Sequence, residues 1–527
     1  MQPPEAAVNQ SAGASPFPPE PMRQPDWLTL LLLFAVGVAI RLESLASKPF
    51  WFDECFSVEV ARISWPNFLH LLWWREANMS LYYVLLRIWL SIAPQSGQNE
   101  FFIRSLSVVI AAATLPAMYW LASQLYDRRV ALIAAALFTF NAYSVRYAQE
   151  ARSYALFVLL ATLSSGFLVA YLRKASSRDR RAYIVVSILA VYAHFYALLL
   201  LAAHWLAVRQ LARLELTGEQ RNTATAQMKR AWRIIGLAVL PLIIFVAKTG
   251  AGPIRWIPRP KLHDLFEFCE HLSGSNSWPL PALYAVACVA AVAPLGKQLL
   301  AKSKNWQTWR CQFLLLWLCF PVALTVVLSF VRPVFLARYM IFCLPPLLIL
   351  VAAGLARLQQ TWMLAAALAG ILFFCSQGIF YVYGHDFDSE RDASGAAANF
   401  ILDHAQAGDA AIFHIAETRV PYEFFRSVRA GENTASPNFT AQLGPEIIFP
   451  HHAAGLDYRD FTGKPTTDFL STQAASYSRV WIMLMNNGPP GNPDPTTVML
   501  TRTLPESFPK IQRWQFPLVE VRLYSKQ

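Results

Sequence analysis

Apolar runs long enough to cross a bilayer recur through the first 390 residues and then stop. A crossing helix needs about 20 predominantly apolar residues. The first run covers 27–45, and others follow at 103–126, 130–145, 151–172, 183–194, 195–208, 234–248, 279–295, 311–331, 336–355 and 362–383. The pattern predicts a polytopic α-helical membrane protein with about eleven transmembrane helices, the shorter ones tilted or broken. The pair between 183 and 208 reads either as one long helix or as a broken one. A short aromatic run at 81–89 is interrupted by Arg87 and predicts a helix lying at the interface, not a crossing.

Two flanking regions lack this pattern. Residues 1–25 are rich in Pro, Ala and Gln and predict a disordered cytoplasmic tail. Arg23 is the only basic residue there, so the first run is read as an uncleaved span, although 44–46 loosely imitates a signal-peptide cleavage site. The membrane domain is assigned to 26–384, with a first external loop over 46–102. From 385 to 527 charged residues and turn formers rise. A helical period over 393–405 and strand-like runs at 410–415, 478–485 and 518–524 predict an α/β domain.

Charge orients the chain. The connections at 127–129, 173–181, 209–233 and 296–310 are short and basic, and alternation puts all four on one side. By the positive-inside rule that side is cytoplasmic. The opposite side receives 46–102, the 147–152 block, His194, Arg338 and the C-terminal domain. A bacterial inner membrane with an extracytoplasmic site is the expected location. The chain is 55% hydrophobic and 15% charged, with a net charge of +12. In a soluble protein that charge would suggest nucleic acid. Here the cations sit in short connections, which excludes a phosphate-tracking groove. The seven cysteines show no metal-ligand spacing and are read as free thiols.

The candidate chemistry gathers on the external side. Asp53 and Glu54 follow directly on the first span, within Lys48-Pro49-Phe50-Trp51-Phe52-Asp53-Glu54. Carboxylates at a membrane edge are costly and suggest a task, although both can equally cap the helix that follows. Glu150 adds a third carboxylate, and Arg152, Arg255, Arg259 and Arg338 supply cations suited to a phosphate. Tyr82, Tyr83, Tyr154 and Tyr339 offer aromatic faces for a sugar ring or a lipid tail. His194 can shuttle a proton, or be a satisfied core histidine. The Glu150–Arg152 pair alone reads as a structural salt bridge, and Arg338 alone as a snorkelling side chain. Adjacent carboxylates can bind a divalent cation, but two are too few to define a site, so no cofactor is assigned.

The order Arg41, Trp51-Phe52-Asp53-Glu54, Leu81-Tyr82-Tyr83, Arg104-Ser105-Leu106-Ser107, Tyr147-Ala148-Gln149-Glu150-Ala151-Arg152-Ser153-Tyr154, Ala193-His194-Phe195-Tyr196 and Arg338-Tyr339 resembles the bacterial branch of the GT-C glycosyltransferases. That branch is related to the protein O-mannosyltransferases (glycosyltransferase family 39) and the lipid A aminoarabinose transferases. The resemblance covers about the first 390 residues. It implies a GT-C fold and an inverting transferase with a polyprenyl-phosphate sugar donor. The acceptor it implies is extracytoplasmic: a lipid, a glycan or a protein. By the same resemblance Asp53 is the base or an acceptor-orienting carboxylate, Gln149 to Arg152 line the site, and Arg338 faces the donor phosphate. Many relatives carry His-Pro-Pro before the Leu-Tyr-Tyr, whereas this chain has Asn78-Met79-Ser80, so no role of that histidine carries over. A flippase for lipid-linked glycans, or a glycan polymerase or ligase, is the alternative; the former would place its polar groups near the midplane with repeat symmetry.

Overall fold

The computed structural model describes residues 24–74, 76–94, 98–211, 218–250, 257–300, 306–385, 392–414, 416–432, 444–449, 472–485 and 494–526. Most of the expected 1–25 tail therefore lies outside the described residues, as does Arg255.

Each of the eleven expected spans is a helix or a helix pair. The first is α1 (Gln24–Leu42). Three short helices then occupy the 46–102 loop: α2 (Phe52–Arg62), α3 (Trp65–Trp74) and α4 (Ser80–Leu90). At 11 residues α4 is only about 16 Å long, too short to cross a 30 Å core by itself. The bundle continues with α5 (Glu100–Leu125), α6 (Arg128–Phe140), α7 (Ala142–Ala148) and α8 (Tyr154–Lys174). Next come α9 (Ser177–Ala193), α10 (Ala197–Leu211), α11 (Gly218–Thr249) and α12 (Leu262–Ser273). Then follow α13 (Pro279–Leu300), α14 (Trp306–Ser329), a 3-10 segment Ala337–Cys343 running into α15 (Leu344–Leu355), and α16 (Thr361–Gly384). Among the described residues six of these are long and apolar enough to cross a membrane, or seven if α6 and α7, bent by 57°, form one span. The count of eleven is reached with α1, α9, α10 and α13, which are shorter or more polar over the described residues. The 183–208 pair is broken, with extended backbone at His194 between α9 and α10.

Polar contacts fix the helix ends. Asn99, Asp127 and Asn141 each accept a backbone N–H at 2.9 Å and so cap α5, α6 and α7. Arg41 is buried and donates to Phe138 O (3.1 Å), Thr139 O (3.2 Å) and Ser144 Oγ (2.9 Å). It thereby satisfies the carbonyls freed where α6 bends into α7, groups that lipid cannot satisfy.

The C-terminal region builds a five-stranded sheet of order β2-β1-β3-β5-β4 from β1 (Ala410–Phe413), β2 (Glu446–Phe449), β3 (Arg479–Met485), β4 (Lys510–Phe516) and β5 (Val519–Ser525). β1 pairs in parallel with β2 and β3, while β5 pairs antiparallel with β3 and β4. Side chains alternate across the pleat. Ala410, Ile412, Val480 and Ile482 form a core with Leu500 and Leu504 of α19 (Pro495–Ser507). Ala411, Phe413, Trp481 and Met483 face the other way, toward α17 (Ser394–His404) and α18 (Ala416–Glu432), and join the core of the bundle. The sheet thus shares one continuous apolar core with the membrane helices.

Candidate active site

Two adjacent carboxylates at the start of α2 have different surroundings. Glu54 points inward and is fully buried. Arg104 of α5 grips it with two bonds, Nε to Oε1 at 2.8 Å and Nη2 to Oε2 at 2.7 Å. Ala151 N donates to Oε1 at 2.9 Å. Arg104 Nη1 also donates to Leu45 O (2.9 Å) and Lys48 O (2.7 Å). Both charges are paired and hydrogen-bonded, as a buried ion pair requires. The pair ties α2 to α5 and to the turn after α7.

Asp53 faces the other way and keeps 17% of its side chain exposed. Its Oδ2 lies 3.4 Å from Arg152 Nη2. Ser57, one turn along α2, links the two residues: its Oγ donates to Asp53 O at 2.8 Å and accepts from Arg152 Nη1 at 3.3 Å. Burial lowers the pKa of Arg152, but Asp53 together with the hydroxyls of Tyr83, Tyr154 and Tyr339 outweighs it and the net shift is upward. The guanidinium is therefore permanently charged.

Arg338 enters from the 3-10 segment before α15. It lies 5.5 Å from the Trp51 ring centre and 5.9 Å from that of Tyr339. Tyr154, at the start of α8, interacts electrostatically with both Arg152 and Arg338. An aromatic wall continues from Tyr339 to His194 (4.9 Å between ring centres) and Tyr196 (5.2 Å), with Phe157 stacked on the histidine at 5.0 Å. His194 Nδ1 accepts the backbone N–H of Tyr196 at 3.2 Å, so its proton resides on Nε2. That Nε2 is buried and has no hydrogen-bond partner among the described residues.

The expected set divides accordingly. Asp53, Arg152, Arg338, Tyr339, Tyr154 and His194 converge. Tyr83 packs edge-on against Phe56 of α2 and also interacts with Arg152. Tyr82 instead turns into the helix interior and bonds Ser107 at 3.1 Å. Glu150 is buried in the turn before Arg152, where its carbonyl accepts Arg152 N at 2.8 Å. Arg259 is exposed ahead of α12. Among the other cations, Arg87 caps the end of α2 through Ala61 O at 3.1 Å, and Lys48 caps the end of α16 through His385 O at 2.6 Å.

Three contributors were not singled out from the sequence. Ser57 is one. Asn78, within the departure from the related motif, accepts Phe195 N at 3.1 Å and so holds the break beside His194. Asp392 is buried and accepts Phe52 N (3.4 Å) and Ser394 N (3.0 Å), capping α2 and α17 together. Burial raises its pKa, and the charge of Asp53 adds to the rise. A Cβ at Gly395 would lie 2.0 Å from Phe50 O, so only glycine lets α17 approach the loop before α2 this closely. Among the described residues no group of three or more His, Cys, Asp or Glu is placed to hold a metal ion.

No family model and no curated protein sequence matches this chain. Solved structures do. ArnT of Cupriavidus metallidurans in its apo state aligns with a TM-score of 0.57 at 12% identity, over 95% of this chain and 98% of that one. The chain has the GT-C fold. A second structure with this fold, the same ArnT bound to undecaprenyl phosphate, gives 0.52 at 13% identity over the same shares. The oligosaccharyltransferase AglB of Archaeoglobus fulgidus, with an inhibitory peptide and a dolichol-phosphate, gives 0.51 at 9% identity over 76% of this chain and 63% of that one. The GT-C comparison with ArnT therefore extends over the C-terminal sheet domain as well as the helices.

Proposed function

We propose that this protein is a membrane glycosyltransferase that moves a sugar from a polyprenyl-phosphate donor to an extracytoplasmic acceptor, with inversion. The observation that carries this reading is the asymmetry of the two carboxylates. Glu54 is saturated by Arg104 and Ala151, whereas Asp53 remains partly open beside Arg152. Supporting it, two proteins of this fold are seen with a polyprenyl or dolichol phosphate.

In the proposed reaction an acceptor O–H or N–H lies against Asp53. Its heteroatom attacks the anomeric carbon as the proton passes to the Asp53 carboxylate. The bond from that carbon to the phosphate oxygen breaks, and the electron pair leaves with the polyprenyl phosphate. Arg338 and Arg152 stabilise the growing negative charge. One displacement inverts the carbon, and no covalent sugar–enzyme bond forms. Tyr154, Tyr339 and His194 form the wall for the sugar, with Nε2–H of His194 donating to a sugar hydroxyl. Glu54, Tyr82 and Glu150 hold the loop in place.

The test is transfer by purified protein in lipid, with a panel of polyprenyl-phosphate monosaccharides and mass spectrometry of the products. The expected result is a product one monosaccharide heavier with the opposite anomeric configuration. Transfer of preassembled oligosaccharides only, or movement of the donor across the bilayer with no product, would replace this reading with a ligase or a flippase.

A further inference from the structure

A second charged feature lies at the other end of the bundle. Arg104, at the near end of α5, grips Glu54, while Tyr126 follows the far end of the same helix, about 33 Å away along the axis at 1.5 Å per residue. That distance is close to the thickness of a bilayer core. A cavity of about 280 Å³ opens there, where the α5–α6 link, α13, α14 and α15 meet. Its walls include Tyr126, Asp127, Pro294, Gln307, Arg310 and Arg357.

Packing explains why space remains. Gly354 of α15 sits against Ala287 O of α13, where a Cβ would lie only 1.9 Å from that oxygen. The two helices touch at this point, and the cavity opens beyond it toward the helix ends. Arg129 Nη2 donates to Leu358 O at 2.8 Å and holds the start of α6 to the end of α15.

Among the described residues the cavity's charge is unbalanced, with two guanidiniums against one carboxylate. Arg310 is fixed by Leu125 O (2.9 Å) and by the Tyr126 ring, 4.0 Å from its centre. Arg357 is exposed and fixed by Ala290 O (3.0 Å). A guanidinium has five N–H donors, so each arginine keeps donors beyond these bonds. Asp127 is already engaged, because its Oδ1 caps Val130 N at 2.9 Å. The linker at 127–129 and the helix ends at Arg310 and Arg357 also place this cavity on the boundary that the basic connections occupy. Basic pockets between membrane helices at that depth suit a lipid phosphate.

We propose that this cavity binds the phosphate headgroup of an anionic glycerophospholipid in the leaflet away from Asp53. Arg310 and Arg357 hold the phosphate oxygens, Gln307 donates to the headgroup, and the acyl chains run along the lipid-facing side of the bundle. The site is separate from the proposed donor site and does not depend on the transfer reaction.

The test uses the full chain purified in detergent and stripped of lipid, with phosphatidylglycerol, phosphatidylcholine and inorganic phosphate added in separate arms. Retained lipid is counted by native mass spectrometry and stability is followed by thermal unfolding. Wild type should retain phosphatidylglycerol over phosphatidylcholine and unfold at higher temperature with it. Each arginine should account for about fivefold of that preference, so Arg310→Gln with Arg357→Gln should reduce it roughly twenty-fivefold. Arg357→Gln alone changes an exposed side chain and keeps the test valid if the double variant does not fold. Arg332→Gln, an exposed cation at the opposite boundary, should leave the preference intact. Equal retention of the two lipids by wild type, or an unchanged preference in Arg357→Gln, overturns the proposal. A shift produced by inorganic phosphate but not by phosphatidylglycerol overturns the assignment to a lipid.

Discussion

Asp53 and Glu54 are neighbours in sequence, yet they sit in two unlike ion pairs. The Glu54–Arg104 pair is closed: both carboxylate oxygens and several guanidinium donors have partners below 3 Å. The Asp53–Arg152 pair is longer, at 3.4 Å, and borders the open side of the loop. A saturated pair holds backbone in place and has nothing left to offer a substrate. A loosely held pair, with aromatic rings and a second arginine beside it, can exchange partners when a substrate arrives. Burial of the arginines does not separate the two, because Arg152 and Arg104 are both buried. The completeness of hydrogen bonding does.

That contrast can be broken first at its structural half. Arg104→Ala leaves Glu54 buried without its partner and should destabilise the protein by about 3–5 kcal/mol. Thermal unfolding in detergent reads this directly. Removing both charges, with Arg104→Met and Glu54→Leu, should recover only part of the loss, because Leu45 O, Lys48 O and Ala151 N also lose partners.

Arg338→Gln tests the other half. Losing a charge-assisted contact to the leaving phosphate should lower kcat/KM for the donor by roughly 10- to 100-fold, with little change in unfolding temperature. A large stability loss with unchanged kinetics would move Arg338 to the closed, structural class. His194→Phe keeps the aromatic wall but removes the unpartnered Nε2–H, so a fall of about fivefold to tenfold in kcat/KM is expected. His194→Gln should restore part of it if the donor is what matters.

The smallest effect concerns Asp392. Its folded pKa is raised above the ordinary carboxylate value. The folded chain therefore binds this proton more tightly than the unfolded chain. The stability this group contributes is fully present below its unfolded pKa and is lost as pH rises through the folded one. Asp392→Asn keeps an oxygen for Phe52 N and Ser394 N without the charge. Its stability should fall less than that of wild type over that window, as followed by unfolding at a series of pH values.

Much of the helical framework was legible because a bilayer imposes one length on every crossing segment. The short α4 was visible for the same reason, since that run could not span alone, whereas the sequence left 183–208 open between one long helix and a broken one. The C-terminal sheet was only half legible. β1, β3 and β5 carry dense apolar or β-branched runs, but β2 is four residues long, and α18 contains Pro421, which interrupts its helical signal. Contacts between distant residues were not legible at all. Glu54 and Arg104 are separated by 50 positions, and Phe52 and Asp392 by 340. Nothing local marks Glu54 as closed or Asp392 as a cap for the site loop. The cations show the same limit. Arg41, Arg87 and Arg104 look as available as Arg152 in the sequence, yet all three serve helix ends or turn carbonyls.

The distinction between the two carboxylates is most directly tested by Asp53→Asn, with single-turnover transfer and donor binding measured on the same preparation. General-base loss should slow transfer by about 10²–10⁴-fold, while folding and binding of the polyprenyl-phosphate sugar stay close to wild type. Transfer at the wild-type rate by a correctly inserted Asp53→Asn protein would contradict the account.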